Sequence, residues 1–423
     1  MENKREILHK VVEELSKYYG EQTPFRKLLP LAHPVLGFDE KVAIIDTIFD
    51  KWFPTMNWRV RKFEEEFANY MGSEFGVMVN SGSSANLLAI GALKEHFRIK
   101  DGSEVILPPI CWSTTVFPIV QHNLVPHFVD VNMEDFNINV DSIEEAINEN
   151  TKIIMVVHTL GFPADMKKIM KISRKNNLLV VEDTCESYGA KIGNKYVGTF
   201  GDIATCSFYA SHHLTTIEGG MILTNNKDLY ETAKSMRAHG WIRDLDSKIK
   251  ESYIKKYPKI DSRFMFITQG YNMRPTEISG AIGLEQLKKL DNSIEERRKL
   301  ANFWNSELEK FGDIFYLHKE KPDTRATWLG FPITLNKNFS NITKNLINYL
   351  ENNGIETRPI ISGNFLDQPV MEKINYKKSL LPNSEIISDT SFYIGCYEHV
   401  TKERAILVIN KIKDFIDSKI KVY

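Results

Sequence analysis

The chain has 423 residues, of which 42% are hydrophobic and 26% charged, and its 54 Lys and Arg against 55 Asp and Glu leave a formal net charge of −1. That balance gives no general nucleic-acid or membrane surface, although a local basic pocket for phosphates stays open, and no run of eighteen apolar residues occurs. The cysteines, Cys111, Cys185, Cys206 and Cys396, lie far apart with no CxxC pair, which predicts reduced thiols in a cytoplasmic protein, no metal site and no disulfide framework.

The opening "MENKREILHKVVEELSKYY" is a charged amphipathic pattern without the apolar core of a signal peptide, so an N-terminal helical segment is expected over residues 1–36. From about residue 75 to 225, short apolar runs alternate with helical patterns. "FGVMV" leads to "SSANLLAIGALKEHF", "EVILP" to "TTVFPIVQHN", and "KIIMVVH" to "DMKKIMKISRKN", before "LLVVED", "IATCSFYA" and "MILT". This alternation predicts an α/β domain whose mostly parallel sheet is covered on both faces. The stretch "DLDSKIKESYIKKYPKIDSRF" is polar and Lys-rich without strong periodicity, and reads as a solvated surface excursion. After about residue 280 the pattern becomes helical, then α+β, and ends in the helix "TKERAILVINKIKDFIDSKI". The expected division is a large domain over 37–280 and a small C-terminal domain over 281–423.

Ligands of open α/β sheets bind beyond the carboxyl ends of the strands, and three informative stretches fall there. "VNSGSSAN" passes from a strand through small residues into a helix, where free amides and the Ser83 and Ser84 hydroxyls would cradle a phosphate or simply cap the helix. "VVEDTCES" ends a buried strand in Glu182 and Asp183, which must be paired or solvated. A protonated aromatic nitrogen suits such a carboxylate, and so does an ordinary cap or salt bridge. "SFYASHHLTTIEGG" sets His212 and His213 in a loop between two strands. Neighbouring residues of an extended chain point to opposite faces, so the two imidazoles are a poor chelate. A serine-protease-like triad is also disfavoured, because no G-x-S-x-G elbow is present.

Together with "CWSTT", "HTLGFPADM", "RAHGW" and "GYNMRPTEISGAIGLEQLKKL", these stretches occur in an order, over roughly residues 40–370, that resembles the sugar aminotransferase superfamily of vitamin B6-dependent enzymes. The resemblance implies an aspartate aminotransferase-like architecture of fold type I, with a mostly parallel mixed sheet and a smaller α+β domain. The family's loop usually reads S-F-[HY]-x-[TS]-K-x-[LI]-[TS]-[TS]-x-E-G-G, with the lysine joined to pyridoxal phosphate (PLP). His212 stands at that lysine position, which matches the superfamily's 3-dehydratase branch, and "RPIISGNF" points the same way. Imidazole forms no stable imine, so the resemblance implies a noncovalent cofactor, pyridoxamine phosphate (PMP) or PLP, with His212 as a catalytic acid and base titrating near neutrality.

The implied reaction removes the C3 hydroxyl of a nucleotide-linked, GDP-linked by closest resemblance, 4-keto-6-deoxy sugar. It would yield a 4-keto-3,6-dideoxy sugar for lipopolysaccharide or capsule synthesis, and L-glutamate would restore PMP. A sister branch carries an iron–sulfur cluster on cysteines that follow this loop; here "AHGWIRDLDSK" has none, so no cluster is expected. By the same resemblance Asp183 pairs with the ring nitrogen, with Glu186 close by, and Trp112 stacks on the ring. Gly82, Ser83, Ser84 and Ser207 hold the phosphate. Asn272 gives a phosphate contact to the neighbouring subunit, implying a homodimer with shared sites. His239 and Arg243 are candidates for the sugar or its diphosphate. The competing readings are an aminotransferase using a displaced lysine and a catalytically silent B6-binding protein, which would be expected to lose Asp183 or the phosphate turn.

Overall fold

The protein is described from a computed structural model covering residues 4–19, 27–34, 36–50 and 56–420. The apolar runs form strands β1 (Phe75–Val79), β2 (Glu104–Leu107), β3 (Val125–Phe128), β4 (Thr151–Val157), β5 (Leu179–Asp183), β6 (Ile203–Ser207) and β7 (Gly220–Thr224). Further along the chain come β8 (Phe315–Tyr316), β9 (Gly330–Leu335), β10 (Thr357–Pro359), β11 (Lys377–Lys378) and β12 (Ser391–Gly395). The larger sheet runs β1-β7-β6-β5-β4-β2-β3-β11. Its pairs from β6 to β11 are parallel, and β7 is antiparallel to both β1 and β6. A second, antiparallel sheet runs β8-β9-β12-β10. The expected α/β large unit and smaller α+β unit are both present.

Strand alternation divides the apolar side chains between two covered faces. Val77, Val79, Ile153, Met155 and Val181 join one core, and Ile154, Val156 and Val180 join the other, with Met166 and Ile169 of the helix Met166–Asn176. The same alternation settles the end of β5. Asp183 falls on the face of Val181, while Glu182 falls on the face of Val180.

Five helices frame the carboxyl ends of these strands: α1 (Trp58–Met71), α2 (Gly82–Phe97), α3 (Ser113–Gln121), α4 (Glu277–Leu287) and α5 (Leu290–Leu308). The Asn57 side chain makes no cap bond to α1. Instead the buried Glu277 carboxylate accepts from the amides of Asn57 at 2.8 Å, Arg59 at 2.7 Å and Val60 at 3.3 Å. Phe63 and Phe67 of α1 pack on Phe208, with ring centroids 5.3 and 5.0 Å away, which ties this helix to the histidine loop. Residue 280 lies inside α4, and Leu300 and Trp304 of α5 join Trp328 and Phe331 in a further core that also takes in Leu29, Ile110, Phe136 and Leu160.

The excursion read as a solvated loop contains the helix Ser247–Lys256, of which no residue is buried. Its Asp246 cap accepts from the Lys248 amide, and Lys255 and Lys256 complement its C-terminal carbonyls. Local capping and end charges support this helix together with one apolar i, i+4 pair, Ile249 and Tyr253, which packs half-buried on Ile242, Leu245 and Met265. Among the described residues no helix is long and apolar enough to cross a membrane.

Candidate active site

The carboxyl ends of β1, β5 and β6 bring the three stretches together. At the end of β1, Ser81 caps α2 by accepting from the Ser84 amide at 3.1 Å, and its hydroxyl lies 3.0 Å from that of Ser84. The first amides of α2, those of Gly82 and Ser83, have no acceptor within the helix. A Cβ at Gly82 would meet Ser207 Cβ at 2.5 Å and Oγ at 2.7 Å, so the absent side chain is what lets the turn approach the end of β6. Free amides, the helix dipole and clustered hydroxyls make this turn suitable for a phosphate.

Asp183 is buried and accepts from Asn86 Nδ2 at 2.9 Å, Thr115 Oγ1 at 3.1 Å and its neighbour Cys185 N at 3.1 Å. Asn86 is itself oriented by Thr205, whose Oγ1 donates to Asn86 Oδ1 at 2.6 Å. Asp183 has no cationic side chain within ion-pair distance among the described residues. Trp112 precedes α3 and is 57% exposed, an unusual state for an indole beside a buried carboxylate. Glu182 proves structural. Its oxygens accept from His158 Nε2 at 3.1 Å and from the amides of Gly198, Phe200 and Gly201 at 2.7–2.8 Å. Glu186, half-buried, accepts from the Leu160 amide at 2.7 Å. Burial, against that hydrogen bond and with Asp183's charge, pushes its carboxyl up to about 8.

The histidine loop is fixed by its own backbone. Phe208 N donates to Gly219 O at 2.9 Å, and Thr216 N to Phe208 O at 3.0 Å. Tyr188 Oη both accepts from Leu214 N and donates to Leu214 O. A Cβ at Gly219 would overlap Thr216, and one at Gly220 would overlap the Ser81 backbone, so both glycines are required by close approach. His213 is buried, donating from Nε2 to Thr327 O at 2.9 Å and packing edge-on to Tyr188. It anchors the loop. His212 points elsewhere: it is half-buried, and its Nδ1 is buried with no protein partner. Burial, and secondarily the charge of Arg297, push its imidazole down to about 4. This departs from the near-neutral titration the resemblance implied, because desolvation and a fixed cation oppose the imidazolium.

His239 is exposed, with its amide donating to Tyr271 O at 2.7 Å, and Ala238 bridges to Asn272. Asn272 is exposed too, and its neighbour Met273 accepts from Asn80 N at 3.1 Å, just before the phosphate turn. Arg243 is exposed with its guanidinium 5.3 Å over the Trp241 ring. Among the described residues no hydrogen bond or ion pair joins His239, Arg243 or Asn272 to Asp183 or His212. Sequence reading missed Asn86, Thr115 and Arg297. Asn86 and Thr115 lie inside "VNSGSSAN" and "CWSTT", but Arg297 lies in a plain helical run that carries no local signal.

The arrangement fits a phosphate-bearing pyridine. The turn at Gly82 has free amides and hydroxyls suited to a phosphate, no cation pairs with Asp183 among the described residues, and Trp112 is 57% exposed. Comparison with known proteins agrees. The profile of the DegT/DnrJ/EryC1/StrS aminotransferase family matches residues 37–413. The chain is 39% identical to the GDP-4-keto-6-deoxy-D-mannose 3-dehydratase of Escherichia coli O55:H7, covering 85% of this chain and 93% of the relative. It is equally identical to the enzyme of that name from Yersinia pseudotuberculosis, over 89% of this chain and 96% of that one. Among solved structures, a His-to-Asn variant of GDP-4-keto-6-deoxymannose-3-dehydratase with bound GDP-perosamine superposes with a TM-score of 0.85 at 37% identity, over 91% of this chain and all of the other. Another structure of that enzyme, with a trapped PLP–glutamate geminal diamine, gives a TM-score of 0.82 at 36% identity, over 90% and 99%.

Proposed function

From its membership of the DegT/DnrJ/EryC1/StrS aminotransferase family, to which this chain belongs, we infer a vitamin B6-dependent dehydratase that removes the C3 hydroxyl of a GDP-linked 4-keto-6-deoxy sugar. The observation that carries the reading is His212, an imidazole in the loop position of a site whose phosphate turn and Asp183 are otherwise intact. When bound, PMP would supply an amine for the C4 ketone and an electron sink that weakens the C3–O bond. Gly82, Ser83, Ser84 and Ser207 would hold its phosphate, Trp112 its ring face and Asp183 its ring nitrogen, with Glu186 beside Asp183.

The chain's own residues then have separate tasks. Asp183 keeps a carboxylate facing the ring nitrogen, steadied by Asn86 and Thr115. His212, unprotonated at the start, would take a proton from the carbon that carries the cofactor's amine and deliver it to the C3 hydroxyl oxygen, so the electron pair of that C–H bond would replace the broken C3–O bond and the leaving group would be water. L-Glutamate serves as amino donor in the half of the cycle that restores the amine. His239 and Arg243 serve the sugar or its diphosphate, and Asn272 serves the phosphate of a second copy's site, which makes a homodimer the working unit in the cytoplasm. Glu64 and Met78 O hold the neighbouring Arg237, leaving Arg243 as the exposed guanidinium of that stretch.

A displaced lysine would redirect the chemistry to amination. Lys289 lines the cavity beside His212, but it is ion-paired with buried Glu40 at 2.6 Å. The test is to incubate the enzyme and glutamate with GDP-, CDP- and dTDP-linked 4-keto-6-deoxy sugars and weigh the products. The expected outcome is loss of one water from the GDP sugar, and no pyridoxyl-lysine after borohydride reduction and peptide mapping. A labelled lysine, or an aminated sugar retaining its C3 hydroxyl, would overturn the reading.

A further inference from the structure

A cavity of about 270 Å³ is lined by His212, His213, Arg297, Glu398 and His399, among others. Space of that size takes several waters, and the buried Nδ1 atoms of His212 and His213 lack protein partners. Arg297 reaches it from α5 and is only 4% exposed. Its Nη1 donates to Leu329 O at 3.2 Å and to Cys396 O, and its Nη2 stands 3.7 Å from Glu398 Oε2. Glu398 in turn accepts from Ser293 Oγ at 2.9 Å. An arginine guanidinium is a fixed charge, and this one is held in a poorly solvated wall.

Other charged and titratable groups surround His212. His33 and His399 line the same cavity with their rings 5.8 Å apart, and the charge of Lys289 is matched by Glu40. Asp183 and Glu186 lie at the end of β5, on the side where the cofactor would sit. A bound phosphate would favour a protonated imidazole, yet a base must begin without its proton.

We propose that the Arg297–Glu398 pair sets how readily His212 takes up a proton, Arg297 opposing it and Glu398 tempering Arg297. This rests on His212 being the acid–base group, but both residues act through that imidazole and neither touches substrate. Burial and Arg297 act in the same direction on His213, which lines the same cavity as His212 and Arg297.

The test is a titration of the full-length, cofactor-loaded protein and its cofactor-free form with isotope-labelled histidines, the His212 signal being assigned by its loss in His212→Asn. Arg297→Gln is expected to raise the His212 midpoint by about one pH unit, a tenfold change in proton affinity. Glu398→Gln is expected to lower it, and Arg297→Lys, which keeps the charge, to leave it nearly unmoved. Opposite movements cannot come from loosened packing, since exposure draws the imidazole upward in every variant. Upward movement in both neutralised variants, or no movement in either, would overturn the proposal. The acid limb of kcat/KM for the nucleotide sugar is measured alongside. Opposite midpoint shifts with an unmoved acid limb uphold the electrostatic setting and instead remove His212 from the chemistry.

Discussion

Asp183 accepts from neutral donors alone, two of them side chains and one the Cys185 amide. No cation among the described residues cancels such a carboxylate, so it is available to a protonated ring nitrogen. Asp183→Asn is therefore expected to lower turnover by about 10²-fold or more, because an amide supports that cation far less. Cofactor retention, measured by equilibrium dialysis, should change less, since the contacts at Gly82 and Ser207 survive. Normal turnover would make Asp183 only structural. At this scale the sequence announces the charged and aromatic residues, because a carboxylate at a strand end or a histidine in a lysine position is locally conspicuous. It does not announce Asn86 and Thr115, whose role exists only once α2 and α3 bring them to β5. The resemblance already sets His212 apart by its lysine position, and the structure adds that burial against Tyr188 and a bond to Thr327 tie His213 to the fold.

The elements are legible where their causes are local. Buried parallel strands reveal themselves as continuous apolar runs, and the α/β alternation follows from them. The helix Ser247–Lys256 does not, because it fully buries no residue and only Ile249 and Tyr253 pack, half-buried, on the small Ile242, Leu245 and Met265 cluster beside its Asp246 cap. The start of α1 depends on a residue more than two hundred positions away. Glu277 accepts three amides there, and Asn57 makes no cap bond of its own. Glu277→Ala is expected to destabilise the protein by about 2 kcal/mol, the upper range for a lost cap, because the freed amides are poorly solvated. Chemical denaturation measures this; a change below about 0.5 kcal/mol, the scatter of ordinary surface substitutions, would show that water replaces the carboxylate. Since α1 also packs Phe63 and Phe67 on Phe208, the same variant should loosen the histidine loop.

At the scale of the whole molecule, the surface that would serve a neighbour abuts the phosphate turn of its own chain through Met273 and Asn80 but does not bond to its Asp183 or His212. His239 and Asn272 share a bridged backbone segment, both exposed, and neither bonds to Asp183 or His212. The proposed homodimer accounts for this arrangement by letting each copy complete the other's phosphate site, and it makes a quantitative demand. His212→Asn should abolish dehydration, and Asn272→Asp should cripple it by placing a carboxylate against a phosphate. In a dimer with shared sites, mixing the two inactive variants after subunit exchange produces about half heterodimers, each with one site made of an intact His212 and an intact Asn272. Activity should then recover to about one quarter of the unmodified protein, a level set by counting sites. If Asn272 instead served its own chain, every site in the mixture would still carry one defect and no activity would return. A monomer by sedimentation at working concentration would also return no activity, so the sedimentation measurement is made on the mixture itself. Recovery near one quarter requires both that two copies associate and that their sites are built across the boundary.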